Sequence, residues 1–391
     1  ANGTSDIANI NATTAKVYYT TNTTFSTATL FGSTTPTISD FEVSGTQALV
    51  EGDNYFWLTY DIIAGATQNN LIDGECTSIT ISSASQTPTV SAPSGSKTIL
   101  SAMSGNYDIG ASQTFATLTA ASNDINTRGV SGAVTFTLAS DYSSASETFP
   151  ITINQFTGVS ATNTLTIKPG TGVTAVISGA PALSNPLIQL LGADYVTIDG
   201  SNNGTTTRNL TFTNNGITGL TAGVQISSES ASNGANYNVI KNCKFDAGSY
   251  GIISGGLSLS ANAIAPNSDN SITNNEFIKM NYGINVQGYA VASYDANWVI
   301  NNNIFGSTTT PANYLIIRAI RIDNASNFSV SNNTISGIHN SSTNALYGIY
   351  LGGAYATGII NNNSISNIKK NAVDNSGVYG IYITSSTSNN N

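Results

Sequence analysis

The sequence predicts an all-β chain: a small antiparallel β-sandwich followed by a right-handed parallel β-helix with one short capping helix at its amino-terminal end. Three observations carry this. The first is an apolar run that breaks on asparagine and recurs: "LTFTNNGI" from Leu210, "NVIKNCKF" from Asn238, "SITNNEF" from Ser271, "WVINNNIF" from Trp298, "FSVSNNTI" from Phe328 and "GIINNNSI" from Gly358. Aligned on the asparagine after the alternating apolar pair, the repeats mark Asn214, Asn242, Asn274, Asn302, Asn332 and Asn362, spaced 28, 32, 28, 30 and 30 residues apart. A period of this size marks a solenoid built one turn per repeat. The second is a strand motif in phase with the first: "AGVQI" at Ala222, "YGIIS" at Tyr250, "YGINV" at Tyr282, "RAIRI" at Arg318, "YGIYL" at Tyr347 and "YGIYI" at Tyr379. Two short strands per repeat, with no amphipathic helix between them, leave no room for helical crossovers, so the parallel strands must coil. The third is a charged content of 8%, against roughly 25% in ordinary globular proteins. Stacked coils set equivalent positions over one another, where repeated like charges would repel.

Residues 1–90 hold alternating runs, "AKVYYT", "TQALV", "NYFWLTYDI" and "CTSITIS", separated by Gly, Asn and Asp. That spacing reads as the antiparallel β-sandwich. The stretch "QTPTVSAPSGS", residues 86–96, reads as a linker, and residues 91–391 as the β-helix. Within it, "TFATLTAASNDINTRG" predicts the one helix. Phe115, Leu118, Ala121 and Ile125 share a face, Arg128 suits the last turn and Gly129 can end it. The first coil of a solenoid has an open edge, and a short amphipathic helix covers it. The strands "AVTFTL", "TFPITI", "NTLTIKP", "TAVISG", "PLIQLLG" and "YVTIDG" build the early coils, and the whole solenoid should hold on the order of 10–12.

Asparagine tolerates the left-handed backbone conformation that a sharp bend between strands requires. If every coil bends at the same place, these asparagines stack about 4.8 Å apart and their amides can hydrogen-bond along the column. Asn214, Asn242, Asn274, Asn302, Asn332 and Asn362 are therefore expected to form a structural ladder. The inward stacks should be Ile240, Ile272, Ile300, Val330 and Ile360 in one strand position, and Ile252, Ile284, Ile320, Ile349 and Ile381 in another.

The segments "KVYYTTNTTF", "GTQALVEGDNYFWLTYDI" and "NLIDGECTSITI" resemble the sialidase-associated amino-terminal domain of secreted multidomain proteins of Bacteroidota, over most of residues 15–82. In that family the module is a non-catalytic β-sandwich attached to unrelated partners. The sialidase Asp-box repeats are absent, so sialidase activity is not carried over. "SGNYDIGASQTFATLTAASNDINTRGVSGAVTF", "ETFPITINQFTGVSATNTLTIKP" and "LLGADYVTIDGSNN" resemble the start of a surface β-helix from the same group. The resemblance implies an adhesin-like cargo of type IX secretion, located outside the cell or on the outer-membrane surface.

The chemistry is sparse. Net charge is −9 with a pI near 4.4, so nucleic acid is a poor partner. No run of 18 or more apolar residues is present, so no helical membrane insertion is expected. Cys76 and Cys243 fall in different predicted domains and read as two buried thiols. His339 is the only histidine, in the polar stretch "SGIHNSST". No Cys/His cluster has zinc spacing and no phosphate-binding Gly loop opens a helix, so no cofactor or metal is expected, with calcium left open. Carbohydrate cleavage would need carboxylates brought together on neighbouring coils. Asp246, Asp269, Asp295, Asp323 and Asp374 fall at different offsets from the asparagine column, and Asp194 and Asp199 flank one strand.

Tyrosines do fall in columns. Tyr250, Tyr282, Tyr347 and Tyr379 share one repeat position, with Arg318 replacing tyrosine in the middle coil; Tyr350 and Tyr382 share another, with Arg321. Stacked tyrosines can contact sugar faces and arginine can stack on them; equally, the rings can stack on each other as a purely structural ladder. Tyr350, Tyr382, Arg318 and Arg321 are the candidate ligand-binding residues. The expected function is a non-catalytic surface protein, an adhesin or stalk with a glycan or cell-surface ligand. The alternatives are a β-helix lyase or glycosidase whose site lies outside this chain, and a filament subunit. The run "TSNNN" at residues 387–391 arrives in phase with the asparagine repeat. Further coils of the same chain, or another subunit, are therefore expected against the coil containing Ile381.

Overall fold

The computed structural model describes residues 3–63, 65–181, 184–216, 220–289, 294–307, 309–340, 344–371 and 376–384. Asp374 and the run 387–391 lie outside the described residues. The chain divides into two compact units, Ala1–Ser101 and Ala102–Asn391.

The first unit is antiparallel. Ala15–Thr20 is the centre of a three-stranded sheet, flanked by Leu30–Thr34 and Tyr55–Thr59, and two further two-stranded ribbons pair Leu71–Ile72 with Lys97–Thr98 and Ile79–Ile81 with Ala84–Gln86. The run Thr46–Val50, expected as a strand, carries none. The Val50 backbone is held instead by the Asn54 side chain, which accepts from its N–H at 3.0 Å and donates to its carbonyl at 3.0 Å. Lys97–Thr98 belongs to this unit because it pairs with Leu71–Ile72, and within the stretch read as a linker Ser91 O accepts from Cys76 N–H at 2.8 Å. Ile10, Ala15, Tyr19 and Ile72 form its small buried core.

The second unit is a parallel β-solenoid of about nine turns. Nine strands stack in sequence order in one sheet: Met103–Ile109, Val130–Leu138, Leu165–Pro169, Val196–Asp199, Val239–Lys241, Ser271–Thr273, Val299–Asn301, Ser329–Ser331 and Ile359–Asn361. The remaining strands form a branched 14-stranded sheet on the other walls. The turn number is lower than the expected 10–12 because some coils carry long excursions: Val196 and Asn238, bonded from one coil to the next, are 42 residues apart. Ile240, Ile272, Ile300 and Val330 stack in register, all fully buried, with Ile360 partly buried after them. Ile252, Ile284, Ile320 and Ile349 form the second stack, in register with Ile381, which is 47% exposed.

A third stack was not legible as a motif. Phe212, Phe245, Phe277 and Phe305 lie one above another, ring centroids 4.8–5.0 Å apart and planes within 11°. This stack, together with the backbone carbonyl of the next coil, which a Cβ at Gly223, Gly251, Gly283 or Gly348 would meet at 2.8, 2.8, 2.6 and 2.5 Å, explains the glycine in the tyrosine motif. A Cβ at Gly223, Gly251 or Gly283 would meet the phenylalanine ring of the next coil at 2.6, 2.4 and 2.5 Å. In the coil where the motif carries Ala319 instead, the next residue in the aromatic column is Ile335, which leaves room for a methyl group.

The helix runs over Leu118–Arg128 and buries Leu118, Ala121, Ser122 and Ile125. Thr117 caps its first turn by accepting from Ala120 N–H at 3.0 Å. Glu147 adds a carboxylate there, accepting from the Leu118 and Thr119 N–H groups at 2.6 and 2.7 Å, where the helix dipole favours negative charge. Gly129, at φ +66°, ends it. The helix packs on the strand Ile151–Asn154, which opens its sheet. Asn126 donates to the Thr152 carbonyl at 2.9 Å and accepts from Asn154 N–H at 3.0 Å, satisfying the free groups of that edge.

The asparagine ladder is displaced from the predicted positions. Asn242, Asn274, Asn302, Asn332 and Asn362 do take the left-handed conformation, at φ +57°, +54°, +57°, +56° and +52°. They make the bend, but along their column only Asn274 bonds its neighbour's amide, Asn242, at 2.6 Å among the described residues. The continuous ladder is one residue later. Asn275 donates to Asn303 at 3.1 Å, Asn303 to Asn333 at 3.0 Å and Asn333 to Asn363 at 2.9 Å. Each also donates to a strand carbonyl of the preceding coil: Ile240, Ile272, Ile300 and Val330. The left-handed residue turns the chain, and the next side chain is the one carried inside: Asn303 is fully buried while Asn302 is exposed. Asn214 is in neither column. Its strand pairs Phe212 with Phe245, which places it after the aromatic position instead of before it, and its amide braces a local turn through Ala222 O at 2.8 Å and Gly216 N at 3.0 Å.

Candidate functional site

The two tyrosine columns are brought together on one outer face. The strand registers run Tyr250, Tyr282, Arg318, Tyr347, Tyr379 in one line and Asn285, Arg321, Tyr350, Tyr382 in the next. Alternation accounts for the second line, because Asn285, Arg321, Tyr350 and Tyr382 each directly follow Ile284, Ile320, Ile349 or Ile381 of the inward stack. The first line stands two residues before that stack, and the registers and ring contacts place it, not alternation. Tyr250 and Tyr282 stack at 4.8 Å, Tyr347 and Tyr379 at 5.3 Å, and Tyr350 and Tyr382 at 5.6 Å, with planes within 17° in each pair. The columns also touch edge to face, Tyr347 meeting Tyr350 at 5.1 Å and Tyr382 at 5.5 Å.

Arg318 joins the two halves. Its guanidinium carbon lies 5.7 Å from the Tyr282 ring centre, 4.9 Å from Tyr347 and 4.4 Å from Tyr350. Arg321 sits 5.7 Å from Tyr350 and forms an ion pair with Asp323. Burial, and then the like charge of Arg321, lower the pKa of Arg318, which stays a cation at any ordinary pH. Burial likewise raises Tyr347 above the usual phenol range.

The face is roofed at one end and open at the other. Ala222, Tyr250, Ile253 and Leu259 form a separate buried cluster, and Ala263 N–H bonds Gln287 O at 3.0 Å, so the 256–263 excursion covers the earlier coils. Tyr347, Tyr350, Tyr379 and Tyr382 remain half-exposed. Sequence reasoning missed three neighbours, Asn285, Gln287 and Asp323. By register Asn285 lies beside Arg321 and Gln287 beside Asp323. One oxygen of each is buried without a hydrogen-bond partner, as are Nε of Arg318 and Arg321. The period-2 continuation of the tyrosine motif was the signal that could have found them.

The acidic residues do not form a second constellation. Asp199 pairs with Lys241 and Asp246 with Lys279, while Asp269 accepts from Asn297 at 2.7 Å and Asp194 from Asn236 N–H at 2.7 Å. Asp295 is fully buried, accepting from the N–H groups of Asn267 and Tyr289 at 3.0 Å each, and burial raises its pKa to about 7. His339 is not in a loop: it lies in the strand Thr334–Asn340, its ring 4.0 Å from that of Tyr314 and its Nε2 3.2 Å from Asn367 Oδ1. Both cysteines are free, but Cys76 is exposed where a buried thiol was expected, because its hairpin region has few covering residues; Cys243 is buried. Among the described residues no group of three or more His, Cys, Asp or Glu is placed to hold a metal, and no helix is long and apolar enough to cross a membrane.

No family model matches the chain, and no curated protein matches it. Among solved structures, the Dettilon tailspike protein is similar at 14% identity and a TM-score of 0.24, over 68% of this chain and 64% of that one. By its own strand register the chain is a parallel β-solenoid preceded by an antiparallel unit.

Proposed function

We propose that this chain is a non-catalytic extracellular surface protein, an adhesin or stalk, whose solenoid presents a flat glycan-binding face. The observation that carries this is the half-exposed cluster of Tyr347, Tyr350, Tyr379 and Tyr382 around Arg318 and Arg321. Tyrosine rings offer an apolar face to sugar C–H groups, and their hydroxyls and the arginines offer hydrogen bonds to sugar oxygens. The sheet fixes the spacing, so the platform is preorganised and loses little entropy on binding. Location outside the cell, and export by a type IX route, rest on the resemblance of residues 15–82 to the sialidase-associated domain. Cleavage at the described acidic residues finds little support, since Asp199 and Asp246 are paired with lysines and Asp295 is sealed from solvent; an enzyme whose site lies outside this chain is the second reading.

A glycan array with a turnover assay on the same preparation tests this. The double variant Tyr350→Ala/Tyr382→Ala is expected to lose binding while the melting temperature of the solenoid moves by only a few degrees, since both rings are half-exposed. Binding without released product supports the adhesin reading, and released oligosaccharide supports the enzyme. A large fall in melting temperature together with a blank array would mean that the tyrosines are a structural ladder.

A further inference from the structure

We infer that the face reads a negatively charged, carboxylate-bearing glycan, with Arg318 as the residue that takes the carboxylate; this rests on the glycan-binding reading above. Arg318 is half-buried, yet it makes no hydrogen bond and no ion pair with any described residue. Arginine removed from water is normally paired with a carboxylate, carbonyl or phosphate. Here its neighbours are ring faces. Attraction to a π face satisfies part of the charge but uses none of the in-plane N–H donors. Arg321 has its charge met by Asp323, but its Nε is also unpaired.

The local charge sum is two arginines and one aspartate, +1 + 1 − 1 = +1, on a chain whose net charge is −9. The positive excess sits on the aromatic platform, where an anion would be drawn and neutral sugar would not be distinguished. A guanidinium edge accepts a carboxylate through two parallel N–H···O bonds. Beside it, the hydroxyls of the half-exposed Tyr347, Tyr350, Tyr379 and Tyr382 are the groups open to sugar oxygens, whereas the unpaired oxygens of Asn285, Gln287 and Asp323 are buried and take no part in the face. The structural explanation alone, that Arg318 merely continues a ring stack, does not account for the charge. Tyrosine occupies the same position at 250, 282, 347 and 379 and stacks without it.

Calorimetric titration of the intact chain with oligogalacturonate and oligoglucuronate, each against its methyl ester, isolates the charge. The acids should bind about tenfold or more tightly than the esters at low salt, the value of one charge-assisted pair, with the preference shrinking as salt rises. Arg318→Tyr restores the residue found in the other coils; it should keep the melting temperature and remove the preference. Arg318→Gln, smaller than the arginine it replaces, should do the same. Acid and ester bound equally, or Arg318→Tyr leaving the preference intact, overturns the charge reading while leaving glycan binding in place. If neither form binds, the charge reading fails, and with a blank neutral-glycan array the glycan-binding reading fails with it.

Discussion

Asn302 and Asn303 are chemically identical neighbours with different jobs. Asn302 turns the backbone and faces solvent; Asn303 is buried and gives its amide to Asn333 and to the Ile272 carbonyl. Replacing Asn303 with Ala strands the Ile272 carbonyl and the backbone and side-chain N–H donors of Asn275, a loss on the order of 1–3 kcal/mol. Asn302→Gly removes no inward bond and relieves a left-handed φ, so it should be near neutral, whereas Asn302→Ala should cost about 1 kcal/mol. Chemical denaturation of the three variants checks the order; Asn302→Gly losing as much as Asn303→Ala would refute it. Asp295 gives a pH effect of defined sign. Its folded pKa, about 7, lies above the ordinary 3.8. The folded state therefore holds the proton more tightly, and the stability this contributes is full below pH ~4 and lost as pH rises through ~7. Asp295→Asn supplies an uncharged group there and should stabilise by about 1–3 kcal/mol at pH 8 and by much less at pH 5. Equal gains in melting temperature at the two pH values would contradict the buried-acid account.

The glycine of each tyrosine strand and the phenylalanine of the next coil behave as one packing unit. Gly283→Ala places a methyl group 2.5 Å from the Phe305 ring and should destabilise by about 1–3 kcal/mol through overpacking. The natural counterpart, Ala319 beside Ile335, points to its own rescue: Phe305→Ile should recover part of the loss in a double-mutant cycle. Additive losses would show that the two positions do not share space. The helix Leu118–Arg128 shows the same economy, since one residue, Asn126, serves both the donor and the acceptor of the open strand edge.

Solenoid coils bond chiefly to their neighbours, with the 206–208 segment reaching one coil further to Asn274, so stability is close to a sum of coil and interface terms, and a defect in the middle removes two interfaces. Ile300 is fully buried between Ile272 and Val330. Ile300→Asp leaves an unpaired charge in that stack, at a cost of several kcal/mol. The solenoid should lose its cooperative melting transition or melt far lower by circular dichroism. An unchanged transition would refute the inward assignment.

The solenoid itself was legible in the sequence because each coil repeats the same local needs: a bend asparagine, a glycine and alternating apolar residues at one phase. Inward positions followed from alternation alone, as Ile240, Ile272, Ile300 and Val330 show. The tyrosine and arginine columns were legible because their motif recurs at one repeat position. Three things were decided only by the tertiary structure. In a run such as "INNN" nothing local says which amide lies inside; the turn at the left-handed residue decides it, and it chose Asn303. The coil number depended on excursions whose lengths carry no periodic signal. The convergence of Arg318 with three tyrosines from the two flanking coils depends on stacking registers that place residues about 30 positions apart within van der Waals reach. A period locates a column, but only the stacked coils bring two columns and the charges between them into contact.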